Sequence, residues 1–405
     1  MIREQTYRLY PNKTQCKKLD ELLEVHRILY NSALEQRIEE WNSYRRSVSY
    51  YDQSKELTKL RNTCQEYKNI NVSSLEYTLL RLNKAFNDFY RRIKNKETSG
   101  FPRFKSRDRF HSINFEHNTG IWIQSTQRTK VPNMKVVLSS IGNIRYRGNK
   151  QYQNLTPKFC TILKKNSKWY LTCAYQIDRN QRLSGSDAIG IDWGVKTLAT
   201  TVTNTNEVHQ YENPKLLQKQ LPLIKKLQRS ISRKKKNSNN QKREKRKLSN
   251  KHTKIAKQRK AFLHKITSNI VSRAALLAVE KLDIKSMTRS DIYGAKTSLN
   301  RSILDTSPYE LHQMLKYKAE EAGIWYIEVD TKKHKPTQTC SECFNVEKKC
   351  LDQRIHSCKK CGYTIDRDIN ASQTILKVAL KQNSWKPAVC GNSSSCTINE
   401  TLSTT

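Results

Sequence analysis

The chain has 405 residues, with 76 Lys and Arg against 36 Asp and Glu, for a formal net charge of +40. That length exceeds one ordinary core and suggests roughly two to four domains. So large a positive charge repels itself unless a polyanion neutralises it, which favours nucleic acid; a membrane surface is disfavoured because the cations run along the whole chain and not in one amphipathic helix.

The longest apolar runs, such as Ala274–Val279, fall far short of the ~20 residues a bilayer needs. The opening Met1-Ile2-Arg3-Glu4-Gln5 has no apolar signal region, so an intracellular protein is expected. In a reducing compartment its 11 cysteines do not imply disulfides.

In chain order, Ile2–Leu9 alternates like a strand and stops at Tyr10-Pro11-Asn12. Leu19, Leu22, Leu23, His26, Leu29 and Tyr30 then recur at helical spacing, and helical patterning returns at Leu57–Asn62. Over Leu75–Ile93, an apolar stripe of Leu75, Leu79, Leu82, Phe86 and Phe89 predicts a helix packed on a core. Its other face carries Arg81, Lys84, Arg91 and Arg92 and suggests an anionic ligand. Gly100-Phe101-Pro102-Arg103-Phe104 breaks the helices.

From Ile113 to Ile177 the chain reads as short strands, with Lys158–Lys165 and Trp169–Ile177 a hairpin about Asn166-Ser167. These predict a small β-barrel, completed by the N-terminal strand. Gln181–Asp187 reads as a linker, and Ala188–Asp192 and Thr197–Val202 as strands around Trp193-Gly194-Val195. Lys225–Lys260 is highly basic. Because Ile255, Phe262, Leu263, Ile266 and Ile270 follow in helical register, it predicts a helical hairpin lying along phosphates. Ala274–Val279 predicts a buried strand ended by Glu280, and Pro308–Gly323 a helix leading into the strand Ile324–Val329. The Ser-, Thr- and Asn-rich tail from Lys381 is expected to be disordered. There is no internal repeat.

Five cysteines cluster between Cys340 and Cys361. Cys340-x-x-Cys343 and Cys358-x-x-Cys361 each aim two thiolates from a tight turn, and together they complete the tetrahedral shell Zn²⁺ prefers. A redox pair or a coincidence would require both correctly spaced pairs to be accidental. Cys350 lies between them and is not expected to be a ligand. Four sulfur ligands leave no open position, so this ion is structural.

Three acids stand at chemically suggestive places. Asp192 ends Ile189-Gly190-Ile191-Asp192, Glu280 ends Leu276-Leu277-Ala278-Val279-Glu280, and Asp368 opens a helix in Asp366-Arg367-Asp368-Ile369-Asn370-Ala371. Ligands of open α/β sheets gather at the carboxyl ends of strands, and converging carboxylates form a hard-oxygen site for Mg²⁺. Two such ions ~4 Å apart can hydrolyse a phosphodiester. Taken singly, an acid after a strand also suits a helix cap or a solvated turn, and Asp-Arg-Asp suits a local salt bridge.

With these motifs in order, the chain resembles TnpB, the transposon-encoded relatives of type V CRISPR effectors. The likeness runs to about Lys377 and rests on several segments. They are Tyr7-Arg8-Leu9-Tyr10-Pro11, Arg27-Ile28-Leu29-Tyr30-Asn31, Gly100–Lys105, Gly190–Lys196, Val279-Glu280-Lys281-Leu282 with Ile284 and Met287, Leu315–Ala319, both cysteine pairs, and Cys361-Gly362-Tyr363 with Asp366–Ala371.

The resemblance implies a multidomain α+β protein. A wedge β-barrel holds an inserted helical recognition domain, and an RNase H-like (RuvC) α/β nuclease domain is interrupted by a zinc-binding insertion. On this sequence the barrel takes residues 1–12 and 110–182 and the recognition domain 13–109. The nuclease domain takes 183–332 (with a basic hairpin at 216–272) and 363–380, around a zinc insertion at 333–362 and before a tail at 381–405.

It implies a Mg²⁺-dependent DNA endonuclease of a transposable element, cutting DNA matched to a guide RNA beside a short transposon-associated motif. The metal-binding and catalytic acids are Asp192, Glu280 and Asp368, with two Mg²⁺ expected; Cys340, Cys343, Cys358 and Cys361 hold Zn²⁺. Asp366 matches the family motif but is not a metal ligand. The expected partners are a guide RNA from the transposon end and double-stranded target DNA, with no membrane or protein partner required. The expected location is the cytoplasm of a prokaryotic cell, at the nucleoid. Arg103, Lys105, Lys196, Arg233, Lys234, Lys235, Arg243, Arg246 and Arg367 are the candidate nucleic-acid contacts.

Trp193, Phe344 and Ala371-Ser372-Gln373-Thr374 depart from the family pattern, and a bulky Phe344 at a positive φ is costly. The rival readings are a transposase using the same acids, an RNA-guided DNA binder without nuclease activity, and a zinc-ribbon nucleic-acid-binding protein with no guide, which would not explain acids at two strand ends.

Overall fold

The computed structural model describes residues 2–126, 133–152, 154–177, 185–288, 297–350 and 353–383. Most of the expected linker and of the tail lies outside them. The chain divides into two compact units, Met1–Asp178 and Arg179–Thr405.

The first unit runs β1 (Ile2–Tyr10), α1 (Lys13–Tyr44), α2 (Tyr50–Thr63), α3 (Gln65–Lys68), α4 (Val72–Lys94), β2 (Ser112–Glu116), β3 (Ile121–Thr126), β4 (Asn133–Leu138), β5 (Gly142–Arg147), β6 (Pro157–Lys165) and β7 (Lys168–Gln176). Asn12 caps α1: its side chain accepts from the Gln15 amide at 2.8 Å, and Gln15 Oε1 accepts from the Asn12 amide at 3.0 Å. The predicted stripes on α1 and α4 face one core, with Leu19, Leu34, Leu75 and Leu82 fully buried. Buried His26 ties the two helices, its ring nitrogens bonding Leu22 O and Ser74 Oγ.

Seven strands form one sheet in the order β2-β6-β7-β1-β5-β4-β3. β1 is its hinge: Ile2–Arg8 pair with β7, while Leu9 and Tyr10 pair with β5. The two edge strands, β2 and β3, are consecutive in the chain and joined through residues 117–120 alone, so the sheet must curl back on itself. This is the near-closed barrel expected, with the N-terminal strand at its centre.

One expectation is corrected here. Arg81 does not belong to an exposed basic face. It is half-buried, donates to the Ser112 carbonyl at 2.9 Å and lies over the Phe110 ring at 5.2 Å in a cation–π contact. Lys84, Arg91 and Arg92 are exposed as expected.

The second unit runs β8 (Asp187–Trp193), β9 (Thr197–Thr203), β10 (Val208–Glu212), α5 (Leu221–Ser232), α6 (Asn239–Arg273), β11 (Ala274–Glu280), α7 (Ile284–Thr288), α8 (Thr297–Thr306), α9 (Pro308–Ala322), β12 (Trp325–Val329), α10 (Thr331–His334), β13 (Ile355–Ser357), β14 (Thr364–Asp366) and α11 (Arg367–Asn383). Its main sheet has the order β10-β9-β8-β11-β12. β8 pairs antiparallel with β9 and parallel with β11, which pairs parallel with β12.

Side chains alternate across this sheet as the strand period requires. Ile189, Ile191, Leu277 and Val279 join the core under α6 and α9. Ala188, Leu276 and Ala278 join the opposite core with Ile375, Leu376 and Ala379 of α11. Both faces are covered, which explains why β8 and β11 read as continuous apolar runs.

Candidate metal centres and nucleic-acid surfaces

The same alternation aims the acids. Asp192 continues the even-numbered face of β8 and Glu280 that of β11, so both point toward α11. Val279 is paired with Ile191, which sets the next residues, Glu280 and Asp192, side by side at the strand ends. They are 8% and 5% exposed. Asp368 lies in the first turn of α11. Asp366 caps that helix, accepting from the amides of Asp368 (2.9 Å) and Ile369 (3.2 Å), so its carboxylate is engaged in the backbone.

Burial first, and then the neighbouring charges of Glu280 and Asp368, push the Asp192 carboxyl well above the usual carboxylate range. Burial pushes Glu280 up to about 7, against a hydrogen bond with Asp192 that favours its ionised form. Two carboxyls sharing a buried hydrogen bond cannot both ionise cheaply, so the pair holds a proton unless a cation replaces it. A divalent cation beside the pair would stabilise the ionised forms that burial disfavours; among the described residues, though, the three acids are not gathered as a group of ligand atoms, as the four cysteines are. Arg367 Nε stands 3.4 Å from Asp368 Oδ1, so this arginine, expected as a nucleic-acid contact, is half-buried against an acid of the site.

Two features hold α11 against the strands. At Gly190, a Cβ would lie 2.2 Å from the Ser372 carbonyl oxygen and 2.7 Å from Leu376 Cβ, so only glycine allows this approach. Ser372 Oγ donates to Thr200 O at 2.9 Å, tying α11 to β9. In the sequence Gly190 stands out only as the first residue of the segment Gly190–Lys196, two residues before Asp192.

The four cysteines Cys340, Cys343, Cys358 and Cys361 bring their sulfurs within 4.8 Å of one another, a set that fits one tetrahedral ion; Cys350 is exposed and outside it. Backbone amides of Cys361 and Lys360 hold the Cys358 thiol down to about 7, which favours the thiolate a metal needs. The first knuckle also grips α11. Asn370 accepts from the Ser341 amide at 3.0 Å and donates to Thr339 O at 2.7 Å. Gln373 Oε1 accepts from Ser341 Oγ and Tyr363 Oη at 2.9 and 3.2 Å, and Thr374 Oγ1 donates to Thr339 O at 3.2 Å. The residues that depart from the family pattern here are thus bonded to the knuckle, and Asn370 is two residues from Asp368.

Of the candidate nucleic-acid contacts, Arg103, Lys196, Arg233, Lys235, Arg243 and Arg246 are exposed and Lys234 is half-buried. Lys105 Nζ is instead 5.7 Å from the Tyr30 ring centroid, and its backbone bonds Arg27 and Asn31. The basic hairpin forms as α5 and α6, anchored by buried Ile224, Ile255 and Leu263. Along α5, Lys225, Lys226, Arg229, Arg233 and Lys234 line one shallow cleft, a surface suited to phosphates. Lys318, within the segment Leu315–Ala319, has no role legible in the sequence: it is buried and donates to His264 O (2.9 Å), Thr267 Oγ1 (2.7 Å) and Ser268 Oγ (2.8 Å), fastening α9 to α6.

Comparisons with known proteins agree with the motifs. Residues 171–291 match a family described as "Probable transposase" (OrfB_IS605), and residues 309–375 match "Cas12f1-like, TNB domain". Residues 1–46 match a "Helix-turn-helix domain" of the same group, although here they form β1 and one unbroken helix, α1.

The chain is 28% identical to "Putative RNA-guided DNA endonuclease InsQ" of Escherichia coli (strain K12), covering 91% of this chain and 90% of that one. It is 28% identical to a protein of the same description from Streptomyces pristinaespiralis, covering 92% and 88%. In fold it is similar to the Cas12f1 chain of a Cas12f1–sgRNA–target DNA complex, with a TM-score of 0.60, 13% identity and coverage of 90% and 83%. No described helix is long and apolar enough to cross a membrane.

Proposed function

We propose that this chain, a relative of the TnpB proteins, is an RNA-guided DNA endonuclease of a transposable element. The observation that carries this reading is the buried pair Asp192 and Glu280 at adjacent strand ends, facing the helix whose first turn holds Asp368, in a chain whose near full-length relatives are described as "Putative RNA-guided DNA endonuclease". The second unit is then an RNase H-like (RuvC) nuclease domain and the Cys340–Cys361 segment its zinc insertion.

Asp192, Glu280 and Asp368 would hold Mg²⁺, which when bound supplies Lewis acidity and a more acidic water for phosphodiester hydrolysis. The chain's own part is positional. The parallel register sets two carboxylates side by side, Gly190 admits α11, and the cysteine knuckle fixes α11 through Asn370. The basic α5–α6 surface grips phosphates by charge and leaves sequence choice to base pairing between guide and target, with the protein reading only a short adjoining motif.

The test is co-expression with the DNA flanking the gene, sequencing of co-purified RNA, and cleavage of a target library with Mg²⁺ beside Asp192→Ala. A discrete RNA and guide-matched cutting that the variant lacks are expected. Guide-matched binding without cutting would point to a binder. The description of the family matching residues 171–291 favours transposition as the second reading, and a strand-transfer assay on transposon ends separates the two.

A further inference from the structure

In the first unit, α1, α4 and the segment through Phe101 enclose a groove of about 550 Å³. Three of its aromatic side chains are neither core nor scattered surface. Trp41, Tyr90 and Phe101 are 52%, 55% and 48% exposed around one concavity. Phe101 meets Phe86 and Phe89 edge-on, at 5.5 and 5.4 Å between centroids, and Arg37 lies over the Phe86 ring at 5.0 Å, so the shelf is held rigid from beneath. The lining includes Arg37, Arg46 and the amides of Asn42, Asn83 and Asn87; just outside it, Glu40 pairs with Arg46 at 3.1 Å and Gln53 accepts from Arg37 at 2.9 Å.

We infer that this groove holds an unpaired base of an RNA strand, stacked on Trp41 and Tyr90. Half-exposed aromatic rings beside arginine and amide groups, with Arg45 already 6.0 Å from the Trp41 centroid, match a base's π-face, edge and phosphate together. A second copy of the chain is a poor occupant, because it brings the same arginines and a net charge of +40. DNA in a duplex must first be unstacked at a cost of a few kcal/mol, whereas structured RNA presents unpaired loop bases without that cost. The inference does not depend on the acid site, and its test does not use cleavage.

The full-length, zinc-loaded protein would be titrated with an RNA hairpin carrying 2-aminopurine in its loop. The controls are the same hairpin with the probe in the stem, and a DNA hairpin of matching sequence. Loop fluorescence should be quenched on binding. Trp41→Ala and Tyr90→Ala should abolish the quenching and weaken loop-hairpin binding about ten-fold or more, and Trp41→Phe should restore both. Circular dichroism confirms that the variants fold, as truncation of half-exposed side chains should permit. Unchanged quenching and affinity in folded variants would overturn the inference. An equal Trp41 dependence with the DNA hairpin would replace RNA by DNA, and a dimer in sedimentation that Trp41→Ala dissociates would replace it by a second copy.

Discussion

Phe344 and Gly362 occupy the same place in the two cysteine knuckles, and both adopt the left-handed backbone region, at φ 57° and 73°. Each donates its amide to the first cysteine of its pair: Phe344 to Cys340 O at 3.0 Å, Gly362 to Cys358 O at 2.9 Å. Glycine adopts this conformation freely and phenylalanine does not. The ring offsets part of the cost by packing on the α11 core and beneath Lys381, whose Nζ is 3.8 Å from its centroid. Phe344→Ala keeps the strained backbone and loses the ring, whereas Phe344→Gly loses both. Thermal melts of the zinc-loaded protein should therefore place the alanine variant below the glycine variant, by about 1 kcal/mol. The reverse order would show that the backbone there carries no strain.

Glu280 makes stability depend on pH. Its folded pKa lies above its ordinary 4.5, at about 7, so the folded protein resists ionisation that the unfolded chain undergoes freely. Without added Mg²⁺, this contribution to stability is intact below pH ~4.5 and is lost as pH rises toward ~7. Asp192 shifts the same way and adds to the loss. Glu280→Gln should flatten that decline. Mg²⁺ should raise the wild-type Tm more at pH 8 than at pH 5, and the variant should lose most of this difference. Calorimetry at the two pH values, with and without Mg²⁺, checks it.

The cysteine knuckle and the proposed acid site are joined through Asn370, which bonds Ser341 and Thr339 and lies in the same first turns of α11 as Asp368. Removing zinc, or Cys343→Ser, should lower DNA cleavage although no acid is touched. Asn370→Ala should weaken zinc retention against a chelator about 10- to 100-fold, as loss of supporting contacts around a metal site does. Unchanged zinc retention in Asn370→Ala would mean the knuckle stands independently of α11.

Much of this arrangement was legible in the sequence because it follows short-range rules. Short continuous apolar runs mark β8 and β11, and the Cys-x-x-Cys spacing marks the knuckles. Phe344 was suspect because glycine stands at the matching place. What was not legible depends on which element packs on which. Arg81 reads as surface on a helical wheel until β2 supplies the Ser112 carbonyl. Lys318 reads as one more surface cation until α6 presents three oxygen acceptors. Arg367, by contrast, pairs with its own neighbour Asp368, the local salt bridge that Asp-Arg-Asp suits.

Lys318 is a purely structural cation, and its loss should show in stability and not in charge-driven binding. Lys318→Met keeps the apolar stem but leaves the Thr267 and Ser268 hydroxyls and the His264 carbonyl short of a donor. A cost of about 1–3 kcal/mol is expected, read as a lower midpoint in urea. Nucleic-acid affinity should be unchanged in folded protein, because the ammonium is buried between helices. A loss of affinity without a loss of stability would contradict this role.

Gly190 gives the sharpest test of how the site is positioned. An alanine Cβ would lie 2.2 Å from the Ser372 carbonyl oxygen, 2.7 Å from Leu376 Cβ and 3.1 Å from Leu376 N. Two of these three atoms are backbone, so no rotamer change relieves the clash and α11 must shift. Overpacking of this kind costs about 1–3 kcal/mol. Asp368 rides on the same helix, and displacing a reacting group by ~1 Å costs on the order of 100-fold in rate. Gly190→Ala should thus lower the Tm and reduce cleavage about 100-fold, while zinc content and RNA binding stay near wild type. Leu376→Ala should not rescue it, because the closest contact is the Ser372 carbonyl. Full activity in Gly190→Ala would mean that α11 need not sit against β8 for the acids to act together.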